Sequence, residues 1–235
     1  MYMALLIRKE LAGNSLLGVW KIEENDAWYF NNPLLTERVQ SRIDGYKSVQ
    51  RKLQAIAVRI LIKTLLPSEK NVDIGYNEKN KPFFTEALYK LSITHSGNMV
   101  AVLLSDTVEV GVDIEKKDSQ VERVAHKFMN AEEESNYASI LESEKLDYLH
   151  VLWGAKECMY KLYGKGGLDF REDMAVHKFD LKSQGDFTGM VSKDERLIHV
   201  AGVYTKLDNF VLVYVLEKRG NVSANRQTLD NEQHI

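Results

Sequence analysis

In "QRKLQAIAVRILIKTLLP" the apolar residues Leu53, Ile56, Ala57, Ile60, Leu61 and Leu65 recur every three or four positions, which predicts a helix buried along one side and stopped by Pro67. Beyond a polar turn the period becomes that of strands. "LYKLSITHSGNMVAVLLSD" gives two runs of apolar and β-branched residues around "HSGN", a hairpin in which Gly97 supplies an unusual backbone angle, and "VEVGVDIEKK" gives a third strand. The second half repeats the order. An apolar-striped helix is predicted from about Leu146 to Tyr163 with Gly164 as its stop, and "RLIHVAGVYTKLDNFVLVYVLEK" gives two strands around "KLDN". Each half is a helix followed by an antiparallel hairpin, so the pattern predicts an α+β chain of two similar lobes, residues 1–106 and 107–219, meeting near residues 105–110. Residues 220–235 contain few apolar side chains and are expected to form a flexible tail.

Composition narrows what such a chain does. At 235 residues and 44% hydrophobic content there is enough apolar material for a sizeable core. With 31 basic and 34 acidic side chains the net charge is -3, so wholesale nucleic-acid binding is excluded and any anion site is a local patch. Cys158 is the only cysteine, which rules out an intramolecular disulfide framework and a thiolate-rich zinc site; it is expected to be a small buried hydrophobe in a reducing compartment. The apolar run in "MYMALLIRKE" is too short for a signal peptide, and no later run reaches the ~20 residues that span a bilayer. The expectation is a cytoplasmic protein with no membrane partner.

Strand alternation puts Asp113 and Glu115 of "GVDIE" on one face. Two such charges roughly 5 Å apart at an effective dielectric near 20 repel by about 3 kcal/mol, which calls for a cation, a proton or wide solvent exposure. Glu157 is a third carboxylate, with Trp153 and Lys161 on its side of the helix at i-4 and i+4. Three hard oxygen donors from separate elements suit Mg²⁺, which keeps waters and shares its shell with substrate phosphates. Taken alone, Glu157 and Lys161 read equally well as a surface pair contributing only about 0.3–0.5 kcal/mol. His95 ends a strand at a turn, where it can donate to a phosphate oxygen, and Lys81 precedes Pro82, which forces an extended bend. Arg38, Arg42 and Arg51, with Arg59 and Lys63 beyond, form a local basic region. "YGKGGL" lacks the Ser/Thr and the following helix of a Walker A loop. These fragments leave a solvated surface and a phosphoryl-transfer site both open.

Taken in order, "NKPFF", "SITHSG", "GVDIE" and "WGAKECMYK", with "KFMNAEEE" between the last two, resemble the motif set of the 4′-phosphopantetheinyl transferase superfamily, specifically its larger, two-lobed, surfactin-synthetase-activating class. Asn80 stands where that family commonly has glycine. The resemblance implies a pseudo-twofold pair of α/β lobes, each a helix packed on a small antiparallel sheet, with coenzyme A and Mg²⁺ in the cleft between them. It implies that Asp113, Glu115 and Glu157 hold the metal and that His95 and Lys161 contact phosphates. Lys81 and Pro82 would border the adenine, Arg38, Arg42 and Arg51 would hold the 3′-phosphate, and Lys156 would be a further coenzyme A contact. Glu157 would be the base, with Glu133 second, and Lys161 and His95 would complete the catalytic group. The implied reaction moves phosphopantetheine to a serine of an apo acyl or peptidyl carrier protein of fatty-acid, polyketide or nonribosomal peptide biosynthesis. An acidic carrier would dock on Arg123 and Lys127, one helical turn apart, and the two-lobed chain would act as a monomer. A non-catalytic coenzyme A or carrier-binding module of the same fold, and another Mg²⁺-dependent nucleotide enzyme, are the competing readings.

Overall fold

The computed structural model describes residues 4–69, 73–86 and 88–218. The chain opens with a hairpin, β1 (Leu5–Leu11) and β2 (Ser15–Lys21), followed by α1 (Asp26–Phe30) and α2 (Glu37–Asp44). The predicted core helix follows as α3 (Val49–Leu65); the Ser48 side chain caps it by accepting from the Arg51 amide, 3.2 Å. It ends because Leu66, preceding Pro67, leaves helical space at φ -121°, ψ 68°. A two-stranded ribbon, β3 (Ile74–Tyr76) and β4 (Pro82–Phe84), leads to the predicted hairpin of β5 (Lys90–Ser96) and β6 (Met99–Ser105), turned by Gly97 at φ 55°.

The second half runs β7 (Val110–Lys116), α4 (Gln120–Val124), α5 (Ala131–Ala138), α6 (Lys145–Tyr163), β8 (Met174–Val176), β9 (Gln184–Lys193), β10 (Arg196–Leu207) and β11 (Phe210–Glu217). The sheets have strand orders β1-β2-β6-β5 and β7-β11-β10-β9-β8, with every neighbouring pair antiparallel. One plan underlies both. A leading strand (β2 or β7) is followed by a long helix (α3 or α6) and a hairpin (β5–β6 or β10–β11) whose second strand pairs with the leader. The fold is therefore α+β, with a repeated strand–helix–hairpin unit.

Three apolar clusters hold it. The buried stripe of α3 packs on one face of the first sheet through Trp20, Val100, Val102 and Leu104, and α6 packs on the second sheet through Val200, Val211, Val213 and Val215. Between the sheets, Leu17, Val19, Ala101 and Leu103 meet Val110, Val112, Ile114, Leu212 and Tyr214. The layers run helix, sheet, sheet, helix, and β5 and β7 lie side by side where the sheets meet. Helix α6 presses directly on β7, because a Cβ on Gly111 would lie only 2.0 Å from the Cys158 carbonyl oxygen. Its end is Gly164, left-handed at φ 68°, as the sequence predicts. Cys158 is buried, its thiol donating to the Val213 carbonyl at 3.2 Å.

Six strands escape the periodicity reading, β3 and β4 because three residues each are too few to show a period. β1 is a mostly exposed edge strand with a register shift between Leu5 and Ile7, so its pattern never settles into alternation. The β2 run "SLLGVWK" is buried on both faces, which hides a period of two. β8 is three residues long, and Gly185 and Gly189 dilute the signal of β9. The tail at 220–235 lies outside the described residues.

Candidate active site

β7 is the outer strand of its sheet, yet it is buried on both faces, so the backbone groups facing away from β11 need partners. β5 supplies them from its side chains. The amides of Val112, Ile114 and Lys116 donate to Ser92 Oγ (3.0 Å), Thr94 Oγ1 (3.3 Å) and Ser96 Oγ (3.1 Å). Two of these hydroxyls pass their own protons to carboxylates, Thr94 to Asp113 Oδ1 (3.0 Å) and Ser96 to Glu115 Oε2 (3.1 Å). From α6, Lys161 Nζ closes the seam, donating to the Val112 carbonyl (3.1 Å) and pairing with Asp113 Oδ1 (2.6 Å). Gly154 keeps the helix close, since a Cβ there would meet Val213 at 2.7 Å and Asp113 Oδ2 at 3.6 Å. Trp153 stacks on Phe170 (5.4 Å), lies tilted against Phe128 (5.1 Å) and steadies the same turn.

Glu157, one turn before Lys161, joins this group. Burial and the neighbouring charge of Asp113 push the Glu115 carboxyl up to about 7, against the hydrogen bond from Ser96 and the charge of Lys161. Burial raises Glu157 as well; Asp113 adds to the rise and Lys161 opposes it. For Lys161 burial works against the charge, but Asp113 prevails and its pKa is raised. Among the described residues no three His, Cys, Asp or Glu side chains are drawn together as a finished ligand set. The donor chemistry nonetheless fits a hard divalent cation: three carboxylates, two of them reluctant to ionise, beside the ammonium of Lys161.

The neighbouring cleft, about 180 Å³, is lined by Tyr46, Arg51, Gln54, Arg59, Tyr76 and His95. Positions 51, 54, 55, 58 and 59 of α3 contribute to it, one helical face. Arg59 is only 6% exposed, its Nη1 bonded to the Ala55 carbonyl (2.8 Å), and burial lowers its pKa. Gln54 braces the site by donating to the Gly97 carbonyl (2.8 Å) and accepting from Arg51 (3.3 Å), which lies over the Tyr46 ring. Burial, with the charges of Arg51 and Lys161, holds His95 down to about 4, a neutral imidazole that can donate one N–H. A buried guanidinium, a second arginine and a histidine donor around one cavity make a cradle for an anion.

Pro82 and Asn80 line this cleft, and Asn80 adopts φ 60°, the left-handed conformation that glycine favours and asparagine tolerates. The Lys81 side chain turns elsewhere. It crosses to the other half, to Glu109 Oε2 (2.8 Å) and the Leu162 carbonyl (3.0 Å), so its ammonium is engaged away from the expected adenine border. Lys156, expected at coenzyme A, is corrected outright. Its Nζ is sealed in the core, bonded to the carbonyls of Phe128 (2.6 Å), Phe170 (2.6 Å) and Met174 (3.1 Å) and paired with Glu133 (2.6 Å). Glu133, the second-choice base, is consumed there too: it closes the α5 capping box with Asn130 and accepts from the Val176 amide (2.9 Å). Arg38 points to solvent against Asp73 (2.9 Å), and Arg42 is tied to the Ile74 carbonyl and the Tyr76 ring, so neither lines the cleft. Arg59, which does, was visible in the sequence only as one more basic residue, although its spacing of eight from Arg51 put both on one helical face.

Residues 109–215 match the family model of the 4′-phosphopantetheinyl transferase superfamily. The chain is 32% identical over 97 residues to a 4′-phosphopantetheinyl transferase of Bacillus subtilis, covering 40% of this chain and 42% of the relative. It is 35% identical over 75 residues to the transferase Sfp of Bacillus subtilis strain 168 (32% and 33% covered), and 28% identical over 123 residues to the transferase gsp of Aneurinibacillus migulanus (52% and 50% covered). The matched stretches span half or less of these relatives' lengths.

The raised pKa of Glu115 has a measurable consequence for the ion-free protein. A carboxyl titrating near 7 in the fold, and near its ordinary value when unfolded, favours folding least at high pH, where its charge is buried, and this penalty fades as pH falls through 7. Glu115→Gln should therefore raise the thermal midpoint at pH 8, by about 2–4 °C per kcal/mol relieved, and have a smaller effect at pH 5. Unfolding followed by circular dichroism in chelator checks this; an equal shift at both pH values would remove the electrostatic cause.

Proposed function

We propose that this chain, whose residues 109–215 match the 4′-phosphopantetheinyl transferase superfamily, is a member of it and transfers the 4′-phosphopantetheine group of coenzyme A to a serine of an apo carrier protein. One observation carries the reading: three carboxylates within electrostatic reach of one another and Lys161 face the seam beside a cleft whose lining includes Arg51, Arg59 and His95. An acidic cation site next to an anion cradle suits a substrate with both a pyrophosphate and a further phosphate. We assign the 3′-phosphate to Arg51, Arg59 and His95 and the adenine to the Pro82 side of the same cleft. The first lobe, carried in the same chain, together with similarity to Sfp and gsp, supports the larger, two-lobed class acting as a monomer.

Asp113, Glu115 and Glu157 would hold Mg²⁺, whose chemistry when bound is charge neutralisation on pyrophosphate oxygens. Glu157, its pKa raised by burial, accepts the proton of the carrier serine. The serine oxygen forms a bond to the β-phosphorus as the bond from that phosphorus to adenosine 3′,5′-bisphosphate breaks, and Lys161 faces the charge left on the departing oxygen. The two lobes hold nucleophile and leaving group in line. The carrier is proposed to be acidic and to dock on Arg123 and Lys127, both exposed, although α4 ends at Val124 and the two lie on a helix that tightens into a 3₁₀ turn.

Mass spectrometry of an apo carrier protein incubated with this protein, coenzyme A and Mg²⁺ should show the phosphopantetheine adduct, and Glu157→Gln should slow its appearance about 100-fold or more, the range of general base catalysis. Failure with several carriers would sink the transfer reading, and binding of coenzyme A without transfer would favour the non-catalytic module. Arg59→Met should raise the KM for coenzyme A about tenfold or more, since charge-assisted hydrogen bonds contribute about 1.5–3 kcal/mol, and leave that for dephospho-coenzyme A nearly unchanged. Equal effects on both substrates would detach Arg59 from the 3′-phosphate. Charge reversal of Arg123 and Lys127 should raise the KM for the carrier alone; a matching rise for coenzyme A would count against docking there.

A further inference from the structure

Five hydrogen bonds link the β5 hydroxyls to β7, and two residues make four of them. Thr94 Oγ1 receives the amide of Ile114 (3.3 Å) and donates to Asp113 (3.0 Å); Ser96 Oγ receives the amide of Lys116 (3.1 Å) and donates to Glu115 (3.1 Å). Each hydroxyl has a single proton. Once its lone pair is tied to the backbone of residue n+1, that proton is aimed at the carboxylate of residue n. Ser92 makes the same amide contact with Val112 and has no carboxylate opposite, because position 111 is Gly. The two carboxylate contacts are thus separable from the amide contacts that join the sheets.

We infer that Thr94 and Ser96 are positioning residues for a divalent cation: each occupies one oxygen of a carboxylate, Asp113 Oδ1 or Glu115 Oε2, and turns the other oxygen toward the ion. Lys161 takes the same Asp113 Oδ1 at 2.6 Å, so Asp113 Oδ2, which faces Gly154 on α6, is the oxygen left for the cation. Both hydroxyls come from the first lobe while the carboxylates come from the second, so the cation site is complete only when the lobes are in register. Outer partners of this kind fix the rotamer of a ligand and typically change metal affinity about 10–100-fold when removed. This inference rests on the metal reading of the three carboxylates given above.

The test is direct cation binding, read as the electron paramagnetic resonance signal of free Mn²⁺ titrated into the full chain without coenzyme A, with Mg²⁺ competition. Thr94→Val and Ser96→Ala should each weaken Mn²⁺ binding about 10-fold or more, and Thr94→Ser, which restores the donor, should return to within about 2-fold of wild type. Wild-type binding with folded variants that bind as tightly would overturn the roles of Thr94 and Ser96 and leave the metal reading standing. No binding by the wild-type protein would overturn the metal reading itself. Should Thr94→Val fail to fold for want of a partner for the Ile114 amide, the half-buried Ser96→Ala and the Thr94→Ser rescue decide the question.

Discussion

The architecture turns on one backbone problem, the free edge of β7. A strand that ends its sheet leaves every second amide and carbonyl without a ladder partner, and a buried one without a substitute costs about 1–3 kcal/mol. Exposed edge strands solve this with water. β7 has no such recourse, because Val112 and Ile114 are sealed between the two sheets while Asp113 is 3% exposed against α6. Its partners are three hydroxyls at alternate positions of β5 and the ammonium of Lys161. Continuing the ladder with another strand would have merged the two sheets into one. Hydroxyls one bond-length set further out keep them separate and leave room at the join.

That room is where the charges sit. The side chains that complete the edge also carry the polarity of the seam, so Asp113 and Glu115 are held by the groups that join the two sheets. Crowding carboxylates there costs stability, visible as the raised pKa values of Glu115 and Glu157. Such a cost is typical of a site kept ready for a ligand of opposite charge, where the penalty is relieved on binding.

Much of this was readable from periodicity. The helices of residues 49–65 and 145–163, the β5–β6 and β10–β11 hairpins and the Gly164 stop follow from spacing alone, because each buries one well-defined face. What failed was inference from adjacency. Lys156 adjoins Glu157 in sequence, but one residue turns a helix by about 100°, so the i, i+4 line of Trp153, Glu157 and Lys161 faces one way while Lys156 enters the core toward Glu133. Arg38 and Arg42 were grouped with Arg51 as a basic run, yet long flexible side chains take the partners within reach, here Asp73 and the Ile74 carbonyl. The hydroxyl role of "SITHS" had no local signature either. Ser and Thr at alternate positions of a strand read as ordinary polar facing until the neighbouring strand is known.

Lys81 is a further link between the halves, beside Lys90, which pairs with Glu109 at 3.0 Å, and it shows how the cleft and the seam keep a common frame. The turn that presents Asn80 and Pro82 to the cleft is internally fixed, with Asn77 Oδ1 accepting from the amides of Lys79 and Lys81, both 2.9 Å. From that turn Lys81 passes over Gly164, where a Cβ would collide with its Cδ at 2.4 Å, and reaches Glu109 at the start of β7 and the Leu162 carbonyl in the last turn of α6. A part-exposed ion pair alone contributes little, about 0–1 kcal/mol. Its partners matter more than its strength, for they are the strand that carries Asp113 and Glu115 and the helix that carries Glu157 and Lys161. A lysine spent on this bridge ties the wall that would border the adenine to the elements that would meet the pyrophosphate. The glycine at 164 is then required twice over, by its left-handed φ and by the side chain lying across it.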